Sequence, residues 1–198
     1  MIKTKWQYVN FIVYLHYFKK KNIPLKLNIG AGGTKISGWL STDINTLEIT
    51  SAHNWELFFE SNEISNILAE HVWEHLTKGE SKKALDNCFK FLKKGGRLRI
   101  AVPDGNFPDK NYINYVQPDG CGPGSKDHKI LYTYTSLRDE LEDAGFEVQL
   151  IEYFDENGFF VKNEWSAEEG FVHRSFEFDK RNKKELKYTS LIVDGIKK

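Results

Sequence analysis

The stretch LNIGAGG at residues 27–33 places glycines directly after a short apolar run. Gly30 and Gly32 lack a Cβ atom, so the backbone can turn tightly there and approach a ligand closely. Asp43 ends the next apolar run, thirteen residues after Gly30, and a carboxylate can accept hydrogen bonds from two neighbouring hydroxyls. The pattern predicts a strand, a ligand-binding turn and a second strand that ends on an acid. A plain tight turn beside an exposed Asp would give the same pattern, because a lone Gly-x-Gly is a weak signal.

The spacing around this turn disfavours a dinucleotide-binding site. That fingerprint has a third glycine three positions after the second, and an acid about 20 residues further on. Here Lys35 occupies the third position and Asp43 comes too early. No helix pattern follows the turn, because TKISGW at 34–39 is short and contains Gly38, so a pyrophosphate would lack the helix N-terminus that usually binds it. S-adenosylmethionine (SAM), which has a ribose diol and no phosphate, fits better.

Short apolar runs and amphipathic segments alternate along the chain, and this alternation is typical of a mostly parallel α/β sheet. The segments that predict strands are LKLNIG at 25–30, GWLSTDI at 38–44, ISNILAE at 64–70, RLRIAVPD at 97–104, FEVQLIEYF at 146–154 and YTSLIVDGIKK at 188–198. The order of these segments indicates an α/β fold in which successive strands are joined by loops or helices.

Two segments have apolar residues at helical spacing. They are KGESKKALDNCFKFLKK at 78–94 and TSLRDELEDAG at 135–145. Gly95–Gly96 is expected to end the first helix, and Ser136 or Thr135 to be the N-cap of the second. Segment 155–187 predicts a hairpin-like connection that leaves the last strand antiparallel, and 103–129 predicts a long loop after a strand.

These stretches, in this order, resemble a class I SAM-dependent methyltransferase of the compact, methyltransferase type 11-like kind, often classed only as predicted methyltransferases. The resemblance is carried by LNIGAGG, GWLSTDI, ISNILAEHVWEHL, FLKKGGRLRIAVPD and YTSLRDELEDAGFEV. It implies a Rossmann-like α/β fold with a mostly parallel seven-stranded sheet, an antiparallel last strand and helices on both faces. It also implies SAM as the cofactor. The residues expected to hold SAM are Asn28, Gly30, Ala31, Gly32, Asp43, Ile44, Asn54, Trp55, Glu70, His71 and His75.

Two positions depart from the family pattern. The first strand usually ends on an acid, and Asn28 stands there instead, with no charge to offer the SAM ammonium. The family often has an Asp near the adenine, whereas ITSAHNWELFF at 49–59 has none. Asn54 is expected to pair with the adenine amine and Trp55 to stack on the ring. A non-catalytic, methyltransferase-like binding or scaffold protein is therefore the alternative function.

The stretch AEHVWEHLTKGE at 69–80 contains His-x-x-Glu-His, a zinc-hydrolase signature in which two His on one helix face bind the metal. Such a site needs a continuous helix and a third ligand. The strand-like run ISNILAE ends directly before His71, and the resemblance places Glu74–His75 at the start of a helix after that strand. No metal is therefore expected, and a zinc hydrolase remains an alternative.

Length and composition indicate one globular domain. The 198 residues are 40% apolar and 28% charged, with a formal net charge of zero and two cysteines. A chain with no net charge has no overall positive potential to attract nucleic acid, so no nucleic-acid partner is expected. Two cysteines make no disulfide framework, which favours a cytoplasmic location. Residues 1–22 are expected to form an amphipathic N-terminal helix and 23–198 the methyltransferase domain. The helix is expected to pack on the domain or cover a pocket mouth. Contact with an anionic membrane through Lys19–Lys21 is the other interpretation.

Two candidate catalytic residues follow predicted strands, at the sheet edge where open α/β folds bind ligands. His128 lies beside Asp127 after the long loop, and an unperturbed imidazole titrates near neutral pH, which suits a general base. Asp104, directly after RLRIAVP, is the second candidate. A hydroxyl or neutral amine must lose a proton when it accepts a methyl group, whereas a carboxylate acceptor needs no base.

The acceptor is expected to be a small molecule methylated on an O or N atom. Aromatic residues are expected to wall the acceptor side, namely Phe107, Tyr112, Tyr115, Tyr132 and Tyr134. Such walls suit sugars and heterocycles alike. Arg174 is a candidate to grip an acceptor carboxylate or phosphate, or else to lie on a solvated hairpin. The resemblance implies a sugar or glycan precursor as acceptor.

Overall fold

The computed structural model describes residues 2–183 and 185–198, with residues 2–6 described by their backbone alone. The strands are β1 (Leu25–Ile29), β2 (Leu40–Ser41), β3 (Ile64–Glu70), β4 (Leu92–Pro103), β5 (Glu147–Phe154), β6 (Phe160–Lys162) and β7 (Ser190–Ile196). The α-helices are α1 (Ile2–Lys20), α2 (Ala52–Glu56), α3 (Lys78–Phe91), α4 (Lys110–Val116) and α5 (Tyr134–Asp143). None of the described helices is both long and apolar enough to cross a membrane.

The seven strands form one sheet in the order β2-β1-β3-β4-β7-β5-β6. β1 pairs in parallel with β2 and β3, and β3 pairs in parallel with β4. β7 runs antiparallel between β4 and β5, so β5 keeps the direction of the parallel strands. β6 forms a hairpin with β5 at the sheet edge. The expected α/β sheet with an antiparallel last strand is confirmed, and it places the ends of β1, β2, β3 and β4 along one edge.

One face of the sheet is covered by helices. Side chains alternate across a strand, so Leu98, Ile100 and Val102 of β4 share this face, and each is fully buried. They belong to one apolar cluster with Leu85 of α3 and Leu137 of α5. Complete burial of such a side chain stabilises the fold by about 1.5–3 kcal/mol, so this layer is the main core.

The other face is covered by residues 163–175, here called the covering segment. Arg99 of β4 is fully buried there, and its Nε and Nη2 donate to the two carboxylate oxygens of Asp194 on β7 at 2.8 and 2.7 Å. Its Nη1 also donates to the Gly170 carbonyl of the covering segment at 2.7 Å. The expected helix layer on this second face is therefore wrong for the described residues. The β1–β2 connection that would supply one is only residues 30–39 and contains no helix.

Helix α1 contributes to the main core. Its buried side chains are Phe11, Leu15 and Phe18. Lys19 closes the helix against the domain through an ion pair with Glu63, at 2.9 Å between Nζ and Oε1. Val13 and Tyr17 are also apolar but are 60% and 50% exposed, so the predicted amphipathic character is weak. Packing on the domain is the interpretation that the described residues support, while Met1 and the side chains of residues 2–6 lie outside the description.

Several element ends differ from the predictions. β4 begins at Leu92, and Gly95–Gly96 lie within it at a register shift against β3, where the left-handed φ of +75° at Gly95 loops the chain out. Thr133 is the N-cap of α5, because its hydroxyl accepts from the Ser136 N–H and the Ser136 hydroxyl accepts from the Thr133 N–H. The predicted loop 103–129 contains α4, whose N-cap is Asp109.

Candidate functional site

The turn after β1 depends on its glycines. The backbone is left-handed at Gly30 and Gly32, with φ of +59° and +55°. Residues with a Cβ atom avoid this conformation. A Cβ atom on Gly30 would lie 2.4 Å from Cγ2 of Val72. Around the Cβ position of Gly32, no described atom lies within 4 Å. Gly30 is therefore required by both backbone and space, whereas Gly32 keeps the turn open to a ligand.

Asp43 follows β2 beside this turn. The Thr42 N–H donates to the Asn28 carbonyl at 2.8 Å, and the Ala31 N–H donates to the Thr42 carbonyl at 2.9 Å, so the turn and the end of β2 are joined. Oδ1 of Asp43 accepts from the Ile44 N–H at 2.8 Å. Within the described part of the chain, its Oδ2 has no hydrogen-bond partner and is available to a ligand. The Ile44 side chain is 73% exposed.

Glu70, the last residue of β3, fastens the covering segment over the sheet edge. Its Oε1 accepts from the Arg174 N–H at 2.8 Å, and its Oε2 accepts from the His173 N–H at 3.2 Å. The Nδ1 of His173 also lies 3.1 Å from Oε2. These contacts join residues a hundred positions apart, and they bring His173 and Arg174 to the ends of β1 and β3.

A cavity of about 410 Å³, here called the edge cavity, lies between the turn, the end of β3 and the covering segment. The sequence-predicted residues that line it are Asn28, Gly30, Ala31, Gly32, Glu70, His71, His75 and His128. Glu74, His173 and Arg174 line it too. Glu74 had a sequence signal in His-x-x-Glu-His, whereas only the folded topology brings the covering segment to this position.

A second cavity of about 380 Å³, here called the helix cavity, lies between α1 and residues 33–43. Asp43 and Thr46 border it, and Phe11 and Tyr14 form its helix wall. Ala31, Thr34 and Ile36 line both cavities. An elongated ligand that crosses the glycine turn would therefore contact the end of β2 and the end of β3 together.

The partly exposed His71 and the buried Glu74 form a pair just after the end of β3. The backbone at His71 is left-handed, with φ of +56°, and its ring lies between Glu74 and Ser190, with Nε2 3.1 Å from the Ser190 Oγ. Its Nδ1 lies 2.9 Å from Oε1 of Glu74, but not with the geometry of a hydrogen bond, so both Glu74 carboxylate oxygens lack a hydrogen-bond partner among the described residues. Burial is the largest single influence on the pKa of Glu74 and raises it, but the nearby imidazoles of His71 and His75 and the local backbone together leave that pKa below its ordinary value.

His75 and His128 lie beside this pair with their rings edge to face, 4.8 Å apart between centroids. The Nδ1 of His75 lies 3.2 Å from Oδ2 of Asp127, and the Nδ1 of His128 lies 2.6 Å from the Val116 carbonyl oxygen. A carbonyl can only accept, so the His128 Nδ1 carries a proton, and in the neutral form of the ring the lone pair is on Nε2.

The structure places Asp104 away from both cavities. Its side chain is fully buried, with Oδ1 accepting from the Asn106 N–H at 2.9 Å and Oδ2 from the Phe154 N–H at 2.7 Å. Burial raises the pKa of Asp104 to about 6. Oδ1 is occupied in the local turn after β4 and Oδ2 joins this turn to β5, so the expectation that Asp104 acts as a base is not supported by its position.

Trp55 and Asn54 make contacts within the protein and line neither cavity. The Trp55 indole is fully buried and stacked on Phe91, with ring centroids 5.3 Å apart, and its Nε1 donates to the Ile49 carbonyl at 3.0 Å. Oδ1 of Asn54 accepts from the Glu48 N–H at 2.8 Å. The expectation that Trp55 stacks on adenine is wrong for this geometry, because its apolar neighbours hold the ring inside the core.

The expected aromatic wall does not line the edge cavity. Phe107 and Tyr112 are buried against Phe154, and Tyr132 is fully buried in the main core. Tyr115 and Tyr134 also lie away from both cavities, the latter bonded to Glu156 at 2.7 Å. These rings stabilise the domain instead. At the cavity, the exposed side chain of Arg174 is the cationic group.

The His-x-x-Glu-His match does not form a zinc-hydrolase helix. Residues Trp73–His75 make a single 3-10 turn directly after β3, and Thr77 begins the next helix as its N-cap. His71 turns towards Ser190, whereas His75 turns towards Asp127. The two histidines therefore do not share one helix face.

Comparison with known proteins identifies the fold. No protein-family model and no curated protein matches the chain significantly. Among solved structures, a SAM-dependent methyltransferase from Archaeoglobus fulgidus matches with a TM-score of 0.50 and 18% identity, over 98% of this chain and 93% of that one. A SAM-dependent methyltransferase from Thermotoga maritima, described as a possible histamine N-methyltransferase, matches over the whole of both chains with a TM-score of 0.52 and 16% identity. Together with the strand order, these likenesses show that the chain has the Rossmann-like fold of class I SAM-dependent methyltransferases.

Proposed function

We propose that the protein is a SAM-dependent methyltransferase that methylates an O or N atom of a small molecule. The observation that carries the proposal is the left-handed glycine turn at residues 30–33, which lies beside Asp43 and opens into a cavity at the sheet edge. Open α/β folds bind ligands at this edge, and the fold is shared with SAM-dependent methyltransferases.

The residues present fit the parts of SAM. Asp43 offers carboxylate oxygens to a ribose diol. Glu70 lines the edge cavity and supplies a negative charge that Asn28 cannot offer to the ammonium group. The helix cavity, with Phe11 and Tyr14 on one wall, suits the flat face of adenine. The open Cβ position of Gly32 leaves room for a ligand to lie across the turn.

SAM supplies an electrophilic methyl group on its sulfonium. The residues of this chain hold the acceptor in line with that group, which is mainly a positioning effect. His128 is the candidate base, because its Nδ1 is held by the Val116 carbonyl and its Nε2 is free. The acceptor O or N forms the bond to the methyl carbon, the pair of the broken S–CH₃ bond stays on sulfur, and the acceptor proton passes to His128 Nε2.

Arg174 supports an acceptor that carries an anionic group. Arg174 is exposed and lines the edge cavity. Glu70 contacts its backbone N–H, and among the described residues no carboxylate forms an ion pair with its guanidinium. A guanidinium matches carboxylate and phosphate geometry with two parallel hydrogen bonds. A phosphorylated or carboxylated sugar precursor would satisfy both Arg174 and the family resemblance.

We also place the reaction in the cytoplasm, since Cys88 and Cys121 are both free thiols.

Calorimetric titration with S-adenosylhomocysteine (SAH) tests the proposal, with NADH as a parallel control. We expect SAH to bind with a dissociation constant in the micromolar range, about −8 kcal/mol, and NADH not to bind. Binding of NADH alone would contradict the proposal in favour of an oxidoreductase. Binding of neither ligand would favour the non-catalytic alternative, for which Asn28 and the lack of an Asp near Trp55 are the supporting observations.

A further inference from the structure

Three potential metal ligands meet at the wall of the edge cavity. Glu74, His75 and His128 each offer a ligand atom, and these atoms all lie within 4.8 Å of one another. Two of them come from the turn after β3, and the third comes from the loop before α5, so the fold rather than a single helix assembles the group.

The two imidazoles are already oriented as metal ligands usually are. A histidine that binds a metal through one ring nitrogen generally donates the other N–H to a carboxylate or a backbone carbonyl. His75 has Asp127 at 3.2 Å from its Nδ1, and His128 has the Val116 carbonyl at 2.6 Å from its Nδ1. In both rings Nε2 is left as the metal-binding atom.

Glu74 supplies the observation that a cation best explains. Its side chain is 1% exposed, and neither carboxylate oxygen has a hydrogen-bond partner among the described residues. Buried carboxylates are normally hydrogen-bonded, paired or bound to a metal. The Nδ1 of His71 lies 2.9 Å from Oε1, so this oxygen has one polar neighbour. A metal ion would satisfy the remaining oxygen.

The donor set selects the class of metal. Two imidazoles and one carboxylate suit Zn²⁺ or a similar transition metal, whereas Mg²⁺ and Ca²⁺ prefer all-oxygen sites. Zn²⁺ with bonds of about 2.1 Å holds tetrahedral ligands about 3.4 Å apart, so the group at up to 4.8 Å needs a modest contraction. Rotation of the partly exposed His75 ring can shorten these distances. Three protein ligands leave one coordination position open, as in catalytic zinc sites.

We propose that Glu74, His75 and His128 form a Zn²⁺ site whose open position takes the hydroxyl oxygen of the methyl acceptor. The binding of the metal stands on this geometry, whereas its use in catalysis rests on the function proposed above. A metal-bound hydroxyl loses its proton near neutral pH, so with the metal in place His128 is a ligand instead of a base. The proton passes to water, the oxygen bonds to the methyl carbon, and the S–CH₃ electron pair stays on sulfur. With this site, the proposed methyl acceptor is an alcohol and the methylated atom is its oxygen.

Metal binding by the full-length protein tests the site. The chain is stripped with chelator, given Zn²⁺, dialysed and analysed for metal content. We expect one Zn²⁺ per chain, lost in Glu74→Gln, His75→Ala and His128→Ala and kept in the control His53→Ala, which removes an exposed histidine outside both cavities. Asp127→Asn is expected to weaken Zn²⁺ binding about tenfold, as outer-shell changes do. A Zn²⁺ content below a tenth of an ion per wild-type chain would overturn the proposal. Full retention of Zn²⁺ by the double variant with His75→Ala and His128→Ala would overturn it too.

Co²⁺ absorption of the wild-type protein gives an answer that does not depend on variants folding. A d–d band of tetrahedral intensity supports the three-ligand site, whereas the spectrum of the hexa-aqua ion overturns it. SAH titration of the metal-free protein separates the two proposals. SAH binding without any metal binding leaves the methyltransferase standing and removes the zinc site. Stoichiometric zinc without SAH binding keeps the metal site and removes the methyltransferase.

Discussion

Asp43 is the single residue whose replacement separates a ligand-binding turn from a structural one. In Asp43→Ala the ribose diol would lose its acceptors, and we expect SAH binding to weaken by about 1–3 kcal/mol, or about 5- to 150-fold. Calorimetric titration measures this loss. Glu48→Ala is the matched control, because it removes an exposed carboxylate five positions away and outside both cavities. Equal SAH affinity in the two variants would remove Asp43 from the site.

Asp104 should leave a signature in the pH dependence of stability. Burial raises the pKa of this carboxyl from its ordinary value of 3.8 to about 6. Below 3.8 the group is protonated in both states. As the pH rises towards 6, the unfolded chain releases its proton first, so the folded state loses stability, by about 3 kcal/mol in all. Above 6 the loss is complete.

Asp104→Asn removes this pH-dependent loss. The amide can still accept from one of the Asn106 and Phe154 N–H groups but not from both, so we expect a constant cost of about 1–3 kcal/mol. Urea unfolding from pH 4 to 7 gives the free energy of unfolding of both proteins. The wild-type advantage over the variant should shrink as the pH rises. An advantage that grows with pH would show that the carboxyl is stabilised in its charged form.

Single residues were predictable where the local pattern decides and not where packing does. Gly30 is required by a left-handed φ, which the sequence LNIGAGG indicates directly. Trp55 is a residue type that can stack on adenine, yet apolar neighbours from distant elements bury it. Glu74 belonged to a visible motif, but its unpaired carboxylate and its closeness to His128 depend on a loop more than fifty residues away.

At the scale of elements, helix α1 offers a clear test of its packing. Phe11 is 3% exposed and meets Phe58 edge to face, with ring centroids 5.1 Å apart. We expect Phe11→Ala to lower the free energy of unfolding by about 3–5 kcal/mol. Val13, on the opposite face of the same helix, is 60% exposed, and Val13→Ala should change it by less than about 0.5 kcal/mol. Urea unfolding compares the two. Similar small effects would mean that α1 is not part of the folded core.

The elements were predictable in proportion to their local signals. β3 extends from Ile64 to Glu70, as its apolar run indicated. β4 begins before its predicted start because the strand continues through Gly95–Gly96 at a register shift that has no local signature. α4 was missed because its seven residues lie among Asn, Asp, Gly and Pro. The covering segment replaces a helix layer through buried polar contacts with Arg99, which no periodicity reveals.

For the whole molecule, both cavities are assembled from segments distant in sequence. α1, the ends of β1 to β3, and the covering segment all contribute, so a cofactor that bridges them binds the folded state and not the unfolded chain. At one hundred times its dissociation constant, SAH should stabilise the protein by about 2.7 kcal/mol. For a chain of this length that raises the Tm by about 5–11 °C. Thermal unfolding followed by circular dichroism measures the shift, and NADH at the same concentration should leave the Tm unchanged. A shift with NADH and none with SAH would show that the cavities select a phosphate-bearing ligand, contrary to the geometry of the glycine turn.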